Sequence, residues 1–189
     1  MCVDDHVYPP SEDSYLLLDA IKNIKAKKAL EIGCGCGIIS IILSRSCKEV
    51  FAIDINKHAC VNMIKNIKNN NLNNNIHILN SDITAALRKD LRFDLIVSNP
   101  PYIPVEKSIE EDVSWAAGID NSLSKSLLEN TLPHLSEDGI MFLVQSSLSE
   151  LSFLKRIIED MGFTIEEVSS KEFFFERIIV FKISRINPV

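Results

Sequence analysis

The four residues Asn-Pro-Pro-Tyr at positions 99–102 directly follow an apolar run that begins at Phe93. Two consecutive prolines lack backbone N–H groups and fix φ, so a strand must end there in a stiff, extended segment. The asparagine oxygen and a proline-restrained carbonyl can accept both N–H bonds of a flat, neutral nitrogen group, while the tyrosine ring lies against its face. A plain strand-ending turn is the alternative. The run predicts a catalytic group made of Asn99, Pro100, Pro101 and Tyr102.

A glycine-rich loop follows an earlier apolar run, with Gly33, Gly35 and Gly37 at alternate positions. Alternating glycines permit a sharp turn and let a ligand approach bare backbone at the start of the next helix. The spacing differs from the G-x-G-x-x-G pattern of dinucleotide-binding loops. Glu31, two residues before the first glycine, would repel a pyrophosphate and attract an ammonium group. The loop therefore predicts a site for a cationic amino-acid moiety.

Two further acidic residues stand at the ends of predicted strands. Asp54 is placed to accept both hydroxyls of a ribose. Asp82 can accept from the exocyclic amine of adenine, with the neighbouring Ile83 against the base. Each aspartate alone also fits ordinary turn chemistry. An ammonium group, a ribose and an adenine together describe S-adenosylmethionine.

Apolar periodicity predicts alternating helices and strands around these loops. This alternation predicts an α/β fold with a doubly wound, mostly parallel seven-stranded sheet and a C-terminal antiparallel hairpin strand. Ligands bind such sheets at the carboxyl ends of the strands. The predicted helices are 12–25 (capped by Ser11), 38–46, 57–70, 122–134 and 149–161. The predicted strands are 28–33, 49–54, 76–80, 93–99, 139–145 and a terminal pair, 163–168 and 173–183, that turns around residues 169–171.

Length, composition and charge limit the kinds of protein and binding partner that this sequence can represent. A length of 189 residues is most simply one domain, 1–189, and 46% hydrophobic with 24% charged residues is ordinary for a globular chain. No apolar run approaches a membrane span and no signal peptide is evident, so we expect a cytoplasmic protein without membrane association. The five cysteines and four histidines lack ligand spacing, which predicts no metal site. A net charge of −6 makes nucleic acid an unfavourable partner.

Together these motifs resemble the class I S-adenosylmethionine-dependent methyltransferases, and among them the HemK family of release-factor glutamine N5-methyltransferases. Residues 7–20 (VYPPSEDSYLLLDA) match the opening element of that family closely, apart from Pro10, where another residue is usual. Residues 114–118 (SWAAG) resemble its Trp-Ala-x-Gly segment. The resemblance covers nearly the whole chain. Because the chain starts directly at the catalytic domain, we expect the archaeal and eukaryotic branch.

The resemblance implies a Rossmann-like methyltransferase fold and S-adenosylmethionine as the cofactor. It implies, as substrate, a glutamine in the Gly-Gly-Gln loop of a class I release factor, and, as partner, a small zinc-binding activator protein. The expected cofactor-binding residues are Ser14, Glu31, Gly33, Gly35, Gly37, Asp54, Asp82, Ile83 and Asn99. The expected substrate-contacting residues are Tyr8, Asn99, Tyr102 and Trp115, of which Tyr8 and Trp115 also fit core packing.

Alternative functions stay open at this point. The acceptors and the aromatic ring of residues 99–102 also fit the exocyclic amine of adenine. An N6-adenine methyltransferase acting on DNA or RNA is therefore the nearest alternative. A protein lysine methyltransferase fits less well, because its substrate amine is protonated, and an inactive cofactor-binding scaffold would not need the Asn-Pro-Pro-Tyr run. The acidic segment 106–112 favours a basic protein over a phosphate backbone as substrate. The third strand, 76–79, is expected at the sheet edge, where an activator could add a strand.

Overall fold

Strands and helices alternate along the computed structural model, which describes residues 1–72, 75–101 and 122–186. The elements in chain order are α1 (Glu12–Ile21), β1 (Ala26–Ile32), α2 (Ile38–Leu43), β2 (Cys47–Asp54), α3 (Lys57–Asn69), β3 (Ile76–Asn80), β4 (Phe93–Ser98), α4 (Ser122–Thr131), a 3₁₀ helix (Leu132–His134), β5 (Leu135–Ser146), α5 (Leu151–Asp160), β6 (Phe163–Glu172) and β7 (Arg177–Arg185). Every predicted helix and strand is present, with ends shifted by a few residues.

The strands form one seven-stranded sheet in the order β3-β2-β1-β4-β5-β7-β6. The neighbours from β3 to β5 are parallel, whereas β7 is antiparallel to both β5 and β6. The predicted doubly wound, mostly parallel sheet with a C-terminal antiparallel strand is therefore confirmed. The predicted position of β3 at the sheet edge is confirmed as well.

Alternate residues of each strand feed two hydrophobic cores, one on each face of the sheet. On one face, α4 and α5 cover a cluster that includes Leu30, Phe93 and Leu143. On the other, α1 and α2 cover a cluster that includes Ala29 and Val97. Both faces are covered, as a parallel sheet requires, so function must lie at the strand ends.

The predicted turn of the terminal strand pair, around residues 169–171, is wrong. Strand β6 continues to Glu172 through an irregularity between Glu167 and Ser169, and the turn spans residues 173–176. The polar stretch Ser-Ser-Lys looked like a turn, but β6 is an exposed edge strand on which polar side chains are well solvated. Ser11 occupies the predicted N-cap position of α1, but its side chain makes no capping bond.

In the part of the chain that the structure describes, no helix is both long and apolar enough to cross a lipid bilayer.

Candidate functional site

The Asn-Pro-Pro segment, residues 99–101, lies beside the glycine turn, residues 33–37. Strands β1 and β4 are parallel neighbours in which Ile32 is level with Ser98, and the Ser98 hydroxyl donates to the Ile32 carbonyl at 2.9 Å. A Cβ atom added to Gly33 would stand 4.0 Å from the Asn99 carbonyl oxygen. Both loops leave the same edge at the point where the strand order reverses, which is where ligands bind in such sheets.

The Asn99 side chain presents an acceptor that none of the described residues uses. Its Oδ1 atom is buried and has no hydrogen-bond partner among the described residues. A buried acceptor without a partner costs about 1–3 kcal/mol, so an N–H group from a ligand would be stabilised there. The adjacent Pro100 is buried and fixes the local backbone. Tyr102 and Trp115 lie outside the described residues, and their roles stay predictions.

The glycine turn is built from backbone conformations that other residues rarely adopt. Gly33, Gly35 and Gly37 all have positive φ, at 79°, 51° and 87°. The space beside Gly37 is also full, because an added Cβ would stand 2.6 Å from the Met63 Cγ atom. The turn thus depends on glycine both for its path and for the approach of α3.

Asp54 holds the glycine turn and keeps capacity for a ligand. Its Oδ2 accepts from the Gly35 N–H and its Oδ1 from the Asn56 N–H, both at 2.8 Å. Each carboxylate oxygen has a second lone pair, so both can still accept from a ribose hydroxyl. Burial raises the pKa of the Asp54 carboxyl, while these two backbone bonds oppose that shift. The geometry agrees with a ribose-binding role, which stays a prediction.

Asp82 and Ile83 follow β3 on the same edge of the sheet. The preceding residue, Ser81, donates its backbone N–H to the Asp54 carbonyl at 3.0 Å, so this loop is joined to the end of β2. Asp82 is exposed, and Ile83 packs against the core with a φ of 43°. A β-branched residue with positive φ is strained, and such strain often marks ligand-binding segments.

Glu31 contacts a helix rather than open solvent. Its side chain is only 2% exposed, and its Oε2 accepts from the Ser40 N–H at 2.8 Å and contacts the Ser40 hydroxyl. Burial raises the pKa of the Glu31 carboxyl to about 8, and the two Ser40 contacts oppose that shift. A neutral Glu31 therefore ties β1 to α2 across the glycine turn. The contact with a cofactor ammonium group stays a prediction.

The raised pKa of Glu31 predicts a pH dependence of stability. Between its ordinary value of 4.5 and about 8, the folded chain keeps a proton that the unfolded chain releases. Stability should therefore fall as the pH rises through this window, by up to about 1.4 kcal/mol per pH unit. Glu31→Gln keeps an acceptor for Ser40 but cannot ionise. Urea unfolding at pH 5, 6.5 and 8 should show a flatter profile for the variant; equal slopes would contradict this assignment.

The start of α1 also lies near the glycine turn. A Cβ atom on Gly35 would stand 3.9 Å from the Tyr8 carbonyl oxygen. Asp13, which is buried, accepts from the Tyr8 hydroxyl at 3.3 Å and from the Ser14 N–H at 2.6 Å. Burial, followed by the Asp13 charge, raises the pKa of Tyr8 to about 12. Asp13 thus positions both predicted site residues. Asp13 is not among the site residues predicted from the sequence, although its position beside Ser14 in the segment 7–20 was the available signal.

Residues 1–8, which we call the N-terminal strap, are tied to α3 by asparagine side chains. The Asn66 side chain accepts from the Cys2 N–H at 2.8 Å and donates to the Cys2 carbonyl at 2.7 Å. The Asn62 Oδ1 accepts from the Asp4 N–H at 2.5 Å. Asn66 also donates to the carbonyl of Cys36 in the glycine turn at 2.9 Å. The N-terminal strap and the glycine turn are therefore both hydrogen-bonded to the same side chain, Asn66.

The fold brings together two histidines that are distant in sequence. The rings of His6 and His58 stack with centroids 4.7 Å apart, and Asp4 lies beside them, so that one ligand atom from each falls within 4.8 Å of the others. The group is mostly exposed, and nothing besides proximity marks it as a cation site. The predicted absence of a metal stays a prediction.

Comparison with known proteins agrees with this geometry. The family described as Methyltransferase small domain matches residues 11–174. A relative from Methanocaldococcus jannaschii, named as a protein N5-glutamine methyltransferase, is 32% identical over 186 residues, which cover 95% of this chain and 92% of the relative. The eRF1 methyltransferase catalytic subunit mtq2 of Schizosaccharomyces pombe is 29% identical over 209 residues, which cover 96% and 90%.

The chain is also similar to an adenine methyltransferase and to a solved methyltransferase structure. A tRNA1(Val) (adenine(37)-N6)-methyltransferase of Yersinia enterocolitica is 32% identical over 125 residues, which cover 64% of this chain and 50% of the relative. The E. cuniculi Mtq2-Trm112 complex, described as responsible for methylation of the translation termination factor eRF1, matches with a TM-score of 0.76 at 18% identity, covering 96% of this chain and 99% of that chain. This likeness shows the fold. The chain therefore belongs to the methyltransferase small domain family, and it is an S-adenosylmethionine-dependent N-methyltransferase.

Proposed function

We propose that this enzyme transfers a methyl group from S-adenosylmethionine to the side-chain amide of the glutamine in the Gly-Gly-Gln loop of a class I release factor. The observation that carries the proposal is the buried Oδ1 of Asn99 beside the glycine turn, which has no hydrogen-bond partner among the described residues. The names of the Methanocaldococcus jannaschii and Schizosaccharomyces pombe relatives support it. The proposal assigns the activity to residues 1–189 as one catalytic domain that acts in the cytoplasm, where release factors work.

The residues present fit the cofactor. Asp54 would hold its ribose, the backbone of the glycine turn and Ser14 would lie along its amino-acid part, and the loop at Asp82 and Ile83 would hold its adenine. When bound, the cofactor supplies a methyl group that its sulfonium already activates. The remaining task of this chain is to position the acceptor nitrogen and to exclude water around it.

Asn99 performs the electrostatic part of that task. A primary amide nitrogen is a poor nucleophile, because its lone pair is delocalised into the carbonyl group. As the nitrogen forms its bond to the methyl carbon, the bond from that carbon to the cofactor sulfur would break, and positive charge grows on the N–H groups until the nitrogen releases one proton to solvent. An acceptor already aimed at these groups stabilises that charge without reorganising. The Asn99 Oδ1 and a carbonyl held by the buried Pro100 and the adjoining Pro101 would supply two such acceptors. In this proposal Tyr102 and Trp115 add contacts to the flat face of the amide.

Adenine is the second acceptor that this geometry can take, because its exocyclic amine is also flat and neutral. The match to the Yersinia enterocolitica enzyme is the observation in its favour, although it covers half of that relative. A net charge of −6 opposes binding to a phosphate backbone. Lysine is less suitable, because its protonated amine has no lone pair to attack with.

Parallel methyl-transfer assays test the proposal. The purified chain, with and without a zinc-binding activator protein, is given radiolabelled S-adenosylmethionine and a class I release factor, duplex DNA or tRNA. We expect label on the release factor alone, and no label on a release factor whose loop glutamine is replaced by alanine. Label on tRNA or DNA in place of the release factor would overturn the proposal.

We also propose that the activator protein pairs with the outer edge of β3. The Asn75 carbonyl accepts from the Val50 N–H, and the Ser81 N–H donates to the Asp54 carbonyl. The backbone N–H and C=O groups of the odd-numbered residues from 75 to 81 therefore point towards β2. The backbone groups of Ile76, Ile78 and Asn80 therefore point away from the sheet. A strand from another chain could pair with them.

A proline at position 78 tests this interface. Ile78→Pro removes one outward N–H while the bonds between β2 and β3 remain, so we expect binding of the activator to weaken about tenfold or more. Titration calorimetry measures this, with Ile78→Ala as the control for the lost side chain. Unchanged binding by the proline variant would remove the partner from this edge.

A further inference from the structure

The turn between β6 and β7, residues 173–176, carries exposed aromatic side chains. We call it the hairpin tip. Phe174 is 92% exposed and Phe175 is 85% exposed, and their rings meet edge-on with centroids 4.8 Å apart. Turns ordinarily use glycine, proline, asparagine, aspartate or serine, because these fit tight backbone paths and water. Two large apolar rings there do nothing for the core, and such exposure commonly marks a contact with another molecule.

The hairpin tip stands at the same edge of the sheet as Asn99. Strand β6 is antiparallel to β7, which is antiparallel to β5, so β6 ends at the edge where β4 ends. Strand β7 is two places from β4, which puts the tip about 10 Å to the side of Asn99. Leu143 is level with Ser98, and Ser146 with Ile178, so the tip rises roughly 10–15 Å above Asn99. A substrate that fills only the pocket would not reach it, but a protein that inserts a loop would.

The base of the hairpin tip is hydrogen-bonded to the end of β5. The Glu176 Oε2 accepts from the Ser146 hydroxyl at 2.7 Å, and the Arg177 N–H donates to the Ser147 hydroxyl at 2.8 Å. The same Ser146 hydroxyl oxygen accepts from the N–H of Leu148, whose side chain is exposed. Leu148 and the two phenylalanines are therefore exposed on two segments that hydrogen bonds join at the same edge of the sheet, and segments that are already ordered lose little entropy on binding.

The charges around this surface are mainly acidic. Glu150 and Glu172 are exposed beside it, and the basic groups of Lys171 and Arg177 are paired with Glu12 and Glu167. The whole chain carries a net charge of −6. An apolar surface with an acidic border fits a protein with an apolar patch and a basic border, and it repels an anionic membrane or a nucleic acid.

We propose that the hairpin tip, together with Leu148, is the docking surface for the body of the release factor whose loop glutamine enters the site. This inference rests on the proposed function. The surface holds the substrate protein through its apolar patch outside the pocket, so that its loop is presented to Asn99. It contributes to the binding of the protein substrate and not to the chemical step.

A double variant, Phe174→Ser with Phe175→Ser, tests the docking surface. The matched control is Val61→Ser with Ile64→Ser, which removes two exposed apolar side chains from α3. We expect the tip variant to raise the KM for the release factor about tenfold or more with little change in kcat, because aromatic anchors dominate protein interfaces. The dissociation constant for S-adenosylmethionine and the melting temperature should match those of the wild type, since both rings lie outside the core.

The outcomes separate the inference from the function on which it rests. A tip variant with a wild-type KM, or a control variant with an equal rise, overturns the docking surface alone. A wild-type chain that leaves the release factor unmethylated overturns the proposed function and the docking surface with it. A wild-type dimer in sedimentation that the tip variant abolishes, with an unchanged KM, assigns the surface to a second copy of this chain instead.

Discussion

Asn99→Ala is expected to lower kcat for methyl transfer by about 10²-fold or more, with nearly unchanged affinity for S-adenosylmethionine. Removing one preorganised hydrogen-bonding group from a buried site commonly has an effect of this size on the chemical step. The Asn99 Oδ1 has no partner among the described residues, so its loss should leave the fold intact. Single-turnover kinetics measure the rate, and calorimetry measures the cofactor affinity.

The matched control is Asn130→Ala, which removes an exposed asparagine side chain whose bonds to the described residues all lie within α4. It should retain wild-type kinetics. Loss of cofactor binding in Asn99→Ala, with the rate at saturating cofactor preserved, would show that Asn99 serves the cofactor and not the acceptor nitrogen.

Asp54→Ala has the second large expected effect, a weakening of S-adenosylmethionine binding by roughly 10²- to 10³-fold. Hydrogen bonds to a charged acceptor contribute about 1.5–3 kcal/mol each, and the substitution removes the acceptor for both ribose hydroxyls. It also leaves the N–H groups of Gly35 and Asn56 without their acceptor, which loosens the glycine turn. Calorimetric titration with S-adenosylmethionine measures the change directly.

Asp19→Ala is the control for Asp54, because Asp19 is an exposed aspartate on α1 that pairs with Lys22, the residue after the helix. Its cofactor affinity should equal that of the wild type. If Asp54→Ala also kept the wild-type dissociation constant, the ribose would have to bind elsewhere, and the order of cofactor contacts along the strand ends would need revision.

The sequence predicts most of this fold because its signals are local. Buried parallel strands are nearly continuous apolar runs, and the amphipathic helices between them repeat with a different period. Once the strands were assigned, the adjacency of Gly33 and Asn99 followed from the strand order common to such sheets. The end of the predicted helix 122–134 differs from the structure, in which a 3₁₀ segment follows α4. Pro133 lacks the N–H group that would continue the α-helix.

The features that sequence reasoning missed depend on tertiary contacts. Glu31 looked like a ligand for an ammonium group, and only the packing of α2 shows that Ser40 already contacts it. His6 and His58 are far apart in the chain, so no spacing rule could reveal their stacking. The last turn was misplaced because an exposed edge strand tolerates serines, whereas Phe174 and Phe175 do not resemble turn residues.

The asparagine contacts of the N-terminal strap have a consequence for its length. Asn62 and Asn66 are one helical turn apart, about 6 Å along α3, which is near the span of two extended residues such as Cys2 and Asp4. The spacing of the two asparagines on α3 therefore fixes which residues of the strap they can bind. Deleting one residue between Asp4 and Tyr8 would therefore have one of two results: either the strap loses its bonds to the two amides, or Tyr8 moves away from Gly35 and the glycine turn loses this contact.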